Sequence, residues 1–151
     1  MSWSARLAEL GIDLPGVATP VAAYVPAVRT GSHVYTAGQL PFVDGELAAT
    51  GKVGAEVSPE EAKRYARTAT LNGLAAVHSL VGIDSVVRVV KVVGFVASGD
   101  GFGGQPAVVN GASELLGEIF GDAGAHARSA VGVAELPLGA PVEVELIVEV
   151  A

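Results

Sequence analysis

The chain has 151 residues, a length that fits one domain able to bury a core of its own. Its net charge of −7 argues against nucleic acid as a partner, because binding to phosphate backbones needs clustered lysine and arginine. The absence of cysteine excludes disulfides, thiolate zinc sites and a cysteine nucleophile. Half of the residues are hydrophobic and only 17% are charged, a composition that predicts apolar contacts between subunits.

Targeting and membrane signals are not predicted in this sequence. The longest apolar run is interrupted by Arg88 and Lys91, so it falls short of the roughly 18 residues that span a bilayer. The first ten residues include Arg6 and Glu9 and lack the apolar stretch of a signal peptide. We therefore expect a cytoplasmic protein that does not contact membranes.

The N-terminal part predicts a short helix, a connector and a strand pair. Residues 2–10 have an amphipathic pattern that ends at a glycine, and a connector rich in proline and glycine follows. We treat residues 1–19 as an extension of a single domain that covers the whole chain. Extended segments are predicted at about 24–29, at 33–38 and, more weakly, from the Asp44-Gly45 turn to Lys52.

The clearest local signal is a helix start at Ser58. Its hydroxyl can cap the helix, Pro59 suits the first helical position, and Glu61 completes a capping box. The helix is predicted to run to about Leu80, with Gly82 as its terminator. Its apolar stripe is rich in alanine and glycine, so we expect it to lie close on a sheet.

The C-terminal half predicts three strands and a second helix. Residues 86–98 form a long β-branched run with apolar residues on both faces, which is typical of a central strand. A helix is predicted at 106–120, followed by strands at 128–136 and 142–150 that we expect to pair as hairpin neighbours. The last strand alternates cleanly between valine-rich and glutamate-rich faces.

Together these elements predict an α+β domain with one mixed sheet and two helices packed on one of its faces. The other face of the sheet still carries valines, which must be covered. Packing against neighbouring subunits is the simplest explanation, so we expect a homo-oligomer.

Candidate chemistry is concentrated in the last two strands. Arg128 stands where an apolar strand begins, either as a solvated edge residue or as a ligand for an anion. An arginine fork suits a carboxylate, and a partly desolvated glutamate such as Glu143 could handle a proton or orient a water. Because these two strands are predicted to be neighbours, we expect Arg128 and Glu143 to lie in one cleft. The sequence predicts no metal site, and the histidines are interpreted as structural or surface residues: His33, His78 and His126.

Three stretches carry a resemblance to a known family: "TAGQLP" at 36–41, the helix-strand-helix middle, and "ARSAVGVAELPLGAPVEVELIVEV" at 127–150. They resemble the Rid family, the YjgF-like proteins often labelled "endoribonuclease L-PSP". The resemblance covers about residues 20–151. It implies a chorismate-mutase-like fold and a homotrimer with sites at the clefts between subunits. It also implies hydrolysis of 2-imino or enamine acids to 2-keto acids and ammonia, without a cofactor.

The resemblance also assigns residues. It makes Arg128 the ligand of the substrate carboxylate and Glu143 the residue that positions the attacking water. It implies that four further residues line the substrate site: Tyr24, Gly38, Asn110 and Ala130. Ala130 stands where many members carry a cysteine that contributes largely through its main chain.

Two other functions remain open from the sequence. A non-catalytic trimer that binds a small carboxylate such as a 2-keto acid would use Arg128 equally and would not need Glu143. Ribonuclease activity follows only from the family label, and the acidic net charge weighs against it.

Overall fold

The computed structural model describes residues 1–20 and 22–151. A five-stranded sheet forms its centre, with the strand order β1-β2-β7-β5-β6. All neighbouring pairs in it are antiparallel except β5 and β6, which are parallel. The helices are α1 (Trp3–Glu9), α2 (Pro59–Val81) and α3 (Gln105–Phe120). The strands are β1 (Ala27–Thr30), β2 (His33–Thr36), β3 (Phe42–Val43), β4 (Glu46–Leu47), β5 (Val86–Ala97), β6 (Ala127–Val133) and β7 (Val142–Val150).

The mixed sheet with two helices on one face is confirmed. Helices α2 and α3 pack against each other and against the same face of the sheet, and the core lies between these two layers. The short α1 lies at the end of α3, where the Trp3 ring meets Phe120 edge to face at 5.0 Å between ring centroids. Strands β3 and β4 form a separate small hairpin, so the weak strand predicted through Lys52 is much shorter than expected.

The prediction that the last two strands are hairpin neighbours is wrong. Strand β5 lies between β6 and β7 and pairs with both of them. The cause is the connection through α3, because a strand-helix-strand unit returns the chain parallel to its first strand. The chain then leaves β6 at Val133 and crosses to β7 through a 3-10 turn at Pro137–Gly139.

Helix α2 begins as its sequence predicts. The Ser58 side chain accepts from the Glu61 amide at 3.2 Å, and the Glu61 carboxylate accepts from the Ser58 amide at 3.4 Å. The helix ends before Gly82, whose φ of 81° would strain other residues. Its small residues allow a close approach to the sheet, since a Cβ on Gly73 would lie 3.0 Å from Leu146 Cδ1.

The face of the sheet away from the helices is open. Val142, Val144 and the other even-numbered residues of β7 are buried in the core, so Glu143 and its odd-numbered neighbours project to the opposite face. Large apolar residues on the open face are Val28, Tyr35 and Val131, which are 52%, 46% and 43% exposed. No helix in residues 1–20 and 22–151 is long and apolar enough to cross a membrane.

The contact between α2 and α3 yields a stability prediction. A Cβ on Gly111 would collide with the backbone carbonyl oxygen of Lys63, which cannot move aside as a flexible side chain could. We expect Gly111→Ala to lower the free energy of unfolding by about 1–3 kcal/mol, as overpacking generally does. Gly117, on the same helix, has no atom within 4 Å of an added Cβ. Gly117→Ala is therefore expected to stabilise by about 0.5–1 kcal/mol. Urea denaturation compares the two, and equal effects would contradict the close helix contact.

Candidate functional site

Arg128 lies near the start of β6, an edge strand of the sheet, and its side chain is held by α3. Its Nη1 donates to Asn110 Oδ1 at 2.7 Å and to Ser113 Oγ at 3.2 Å. Its Nη2 donates to the Pro106 carbonyl oxygen at 3.3 Å. Residues on successive turns of α3 thus hold the guanidinium, and its orientation is fixed.

The partners of Arg128 are all neutral. Within residues 1–20 and 22–151, no carboxylate lies within ion-pair distance of this guanidinium. The three hydrogen bonds use both Nη1 protons and one Nη2 proton, which leaves Nε–H and the second Nη2–H. Nε and Nη2 share the edge of a guanidinium that binds a carboxylate through two parallel hydrogen bonds, and each of these nitrogens keeps an unused donor.

Asn110 and Ala130 lie with Arg128. Asn110, in α3, accepts the shortest of the arginine's hydrogen bonds. Ala130 is two residues along β6 from Arg128, so both side chains are on the helix-covered face of the sheet, where Ala130 packs on the core. We call Arg128, Asn110 and Ala130 the arginine half-site.

The hydrogen bond between His126 and Ser113, a partner of Arg128, was not predicted from the sequence. His126 Nε2 lies 2.8 Å from Ser113 Oγ, and its Nδ1 lies 2.6 Å from the Gly124 carbonyl oxygen. The isolated histidine gave no sign of this contact, because Ser113 is on a different element.

Glu143 lies at the start of β7 beside Gly38, on the open side of the sheet. A Cβ at Gly38 would collide with the Glu143 carboxylate, so the carboxylate occupies space that only glycine leaves. The two residues line a cavity of about 40 Å³. The cavity is also lined by Ala18, Thr19, Pro20, Tyr24, Pro26, Gln39, Leu40, Phe42 and Pro137. We call Glu143, Gly38 and Tyr24 the glutamate half-site.

The connector forms part of this cavity wall through Ala18, Thr19 and Pro20. The sequence predicts Ala18 and Thr19 only as part of the N-terminal extension and gives Pro20 no role in the site. No residue pattern marks a loop as a cavity wall, since the contact depends on the path of the folded chain.

The pKa of Glu143 is raised from its ordinary value. Burial is the main cause, because it disfavours the charged form, and the negative charge of Glu145 adds to it. A carboxyl group of this kind can exchange a proton nearer neutral pH than a solvated glutamate can.

The structure does not bring the two half-sites together within one chain. Glu143 is in register with Phe95, and Phe95 with Val131, so two strand spacings separate β7 from β6 at this level. Arg128 lies three residues further along β6, roughly 10 Å by strand geometry. Arg128 and Glu143 also project from opposite faces of the sheet. The single cleft expected from hairpin pairing is therefore wrong for one chain.

Comparisons with known proteins agree with one another. The family model described as "YjgF/chorismate mutase-like, putative endoribonuclease" matches residues 4–150. Protein TCP17 of Trypanosoma cruzi is 43% identical over 148 residues, which cover 97% of this chain and 92% of that protein.

Two solved structures extend the similarity to the whole fold. Protein Atu1372 of Agrobacterium tumefaciens, titled as having unknown function, is 42% identical with a TM-score of 0.90, and the match covers 99% of this chain and 92% of that one. A structure from Shewanella oneidensis titled "putative endoribonuclease" is 32% identical with a TM-score of 0.95, covering 99% and 100% of the two chains.

The raised pKa of Glu143 predicts an effect of pH on stability. Ionising this carboxyl group costs more in the folded than in the unfolded protein. The resulting loss of stability is therefore present at pH values above the pKa of Glu143 in both states and absent at pH values below the pKa in both states. We expect Glu143→Gln to raise the thermal midpoint at pH 8, with the gain disappearing towards pH 4. Glu149→Gln, the same change on the same face of β7, is the control and should give no such gain. A Glu143→Gln variant that is less stable than wild type at pH 8 would contradict the cause assigned to the shift.

Proposed function

The chain belongs to the YjgF/chorismate mutase-like family, and from this membership and the geometry of its two half-sites we propose that it hydrolyses small 2-imino and enamine acids to 2-keto acids and ammonia. The observation that carries the proposal is Arg128, whose guanidinium has neutral partners and one unused donor on each of Nε and Nη2. The substrates share a carboxylate next to the reacting carbon, which those donors fit.

Arg128 contributes binding and orientation. Two parallel hydrogen bonds to the carboxylate fix the plane of the substrate, and so they fix the direction from which C2 of the imine is open to attack. The anchoring bonds to α3 limit rotation of the guanidinium before the substrate arrives, which lowers the entropy lost on binding.

Glu143 contributes a place for water and an acceptor for its proton. The cavity beside it, about 40 Å³, is enough for a water molecule. As the water oxygen bonds to C2 of the iminium, Glu143 accepts a water proton, and the C=N π electrons move to nitrogen. The carboxyl group then returns the proton to that nitrogen. As the nitrogen leaves as ammonia and the C=O double bond forms, the Glu143 carboxylate accepts the remaining hydroxyl proton and passes it to water.

A homotrimer completes the site in this proposal. Because Arg128 and Glu143 lie on opposite faces of one sheet, they can act on one substrate only if they come from different subunits. The exposed apolar residues on the open face and the hydrophobic composition support such an assembly. Each cleft would then join the arginine half-site of one subunit to the glutamate half-site of the next.

The first functional prediction concerns carboxylate binding. We expect Arg128→Ala to weaken binding of 2-ketobutyrate by about 2–5 kcal/mol, by analogy with truncated charge pairs in desolvated sites. Arg128→Lys should also bind poorly, because an ammonium group cannot reproduce the planar fork. Calorimetry measures both, with Arg64→Ala as control, since Arg64 is exposed on α2.

Two outcomes of the binding and hydrolysis measurements decide between the candidate functions. An Arg128→Ala variant that binds like wild type would reject the carboxylate role. Binding that depends on Arg128 without imine hydrolysis by wild type would favour the binding-protein alternative. Semicarbazone trapping with imines generated by an amino-acid oxidase provides the assay of hydrolysis.

The second functional prediction tests whether the site is shared between subunits. Alone, Arg128→Ala and Glu143→Gln should each lose imine hydrolysis, while Glu149→Gln should keep it. Co-expressed in equal amounts, the first two variants should regain about a quarter of wild-type activity, because one interface in four pairs an intact Arg128 with an intact Glu143. Light scattering checks the trimer in each sample. An inactive mixture of well-formed trimers, or a monomeric wild type, would reject the shared site.

A further inference from the structure

We propose that His126 is a positioning residue for Arg128 and acts through the hydroxyl of Ser113. The inference rests on the proposed function in one respect, namely that Arg128 is the ligand of the carboxylate. The series of hydrogen bonds that supports it, from Gly124 through His126 and Ser113 to Arg128, is present in the protein without any ligand.

The direction of each hydrogen bond in this chain follows from its chemistry. The Gly124 carbonyl oxygen can only accept, so the proton at the 2.6 Å contact belongs to His126 Nδ1. In the neutral imidazole, Nε2 is then an acceptor. The Ser113 hydroxyl therefore donates its proton to Nε2 across 2.8 Å.

This direction determines what Ser113 offers to Arg128. A serine hydroxyl rotates freely, and a proton turned towards the guanidinium would repel it. With its proton committed to His126, Ser113 Oγ presents lone pairs to Arg128 Nη1 at 3.2 Å. The histidine thus makes the serine a fixed acceptor for a cation.

The hydrogen-bond series ends at Gly124, and the backbone there is rigid. Gly124 is buried, and a Cβ there would collide with the carbonyl oxygen of Leu116 in α3. The backbone of the 3-10 turn at Gly121–Gly124 therefore lies directly on the helix. His126 links this fixed carbonyl to Ser113, and Asn110 holds Nη1 from the same helix. The guanidinium is held so that its unused edge keeps one orientation.

A serine hydrogen-bonded to a histidine is also the arrangement of a nucleophile and its base. Here the Ser113 oxygen accepts from a guanidinium, which lowers its electron density and opposes nucleophilic attack. The two roles differ in kinetics. Loss of a nucleophile removes kcat, whereas loss of a positioning contact raises KM and weakens binding of the 2-keto acid while largely sparing kcat.

The test is a double-mutant cycle on 2-ketobutyrate binding and imine hydrolysis. We expect His126→Ala and Ser113→Ala each to weaken binding and raise KM about 3–10-fold, as loss of one hydrogen bond in a charged network would. The double variant should match Ser113→Ala alone, and His126→Ala should have no further effect on binding in an Arg128→Ala background. His126→Gln, which keeps an acceptor within reach of Ser113, should recover most of the affinity.

A ligand-free measurement separates this inference from the proposed function. Nitrogen NMR of the Arg128 side chain should show distinct Nη1 and Nη2 signals in wild type, which merge in His126→Ala and remain in His126→Gln. Unchanged signals in His126→Ala would overturn the positioning role even if wild type bound 2-keto acids. Additive losses with Arg128→Ala, or a Ser113→Ala variant that loses kcat with KM unchanged, would also overturn it. If wild type does not bind 2-keto acids but its distinct Nη1 and Nη2 signals still merge in His126→Ala, only the proposed function is rejected.

Discussion

The position of β5 between β6 and β7 determines the separation of Arg128 from Glu143. Its 12 residues pair with β7 on one side and with β6 on the other. Helix α3 packs so closely over β5 that a Cβ on Gly94 would collide with the Val109 side chain. This close packing sets the height of α3 above the edge strand, and so it sets the reach from Asn110 to Arg128. The same strand keeps Glu143 two strand spacings away from β6.

Arg128 differs electrostatically from the basic residues that form ion pairs. Four exposed or half-exposed ion pairs join α2 to α3, Lys52 to Glu135, and Arg6 to Glu9. Pairs of this type contribute little to stability, since water screens them and both side chains lose rotamer freedom. Arg128 has an amide, a hydroxyl and a carbonyl as partners. These partners orient the cation without neutralising it, so its charge remains available for an anion.

The sequence predicted the start of α2 and the two faces of β7 correctly because residues close together in the sequence determine both features. The capping box at Ser58 and the alternation of β7 are each readable from neighbouring residues, and both are confirmed. The pairing of β6 was not readable in that way, because the turn-like residues at 137–140 resembled a hairpin. The strand-helix-strand order of β5, α3 and β6 was the signal that favoured parallel pairing.

The candidate site was predictable only in part, for a related reason. The resemblance to a family gave the residues of both half-sites, but the division of those residues between two faces of the sheet depends on the pairing of β6. The connector residues beside Glu143 and the Ser113–His126 pair depend on the folded path of the chain. No spacing in the sequence encodes either contact.

The glutamate half-site lowers the stability of the fold where its carboxylate is ionised. Its carboxylate is held half-buried beside Glu145, which makes ionisation unfavourable, and it occupies space left by the missing side chain of Gly38. A packed apolar residue in place of Glu143 would serve the fold better. The chain instead keeps a carboxylate of raised pKa next to a space the size of a water molecule. That arrangement suits the exchange of a proton with a small molecule, which the proposed hydrolysis of an imine requires.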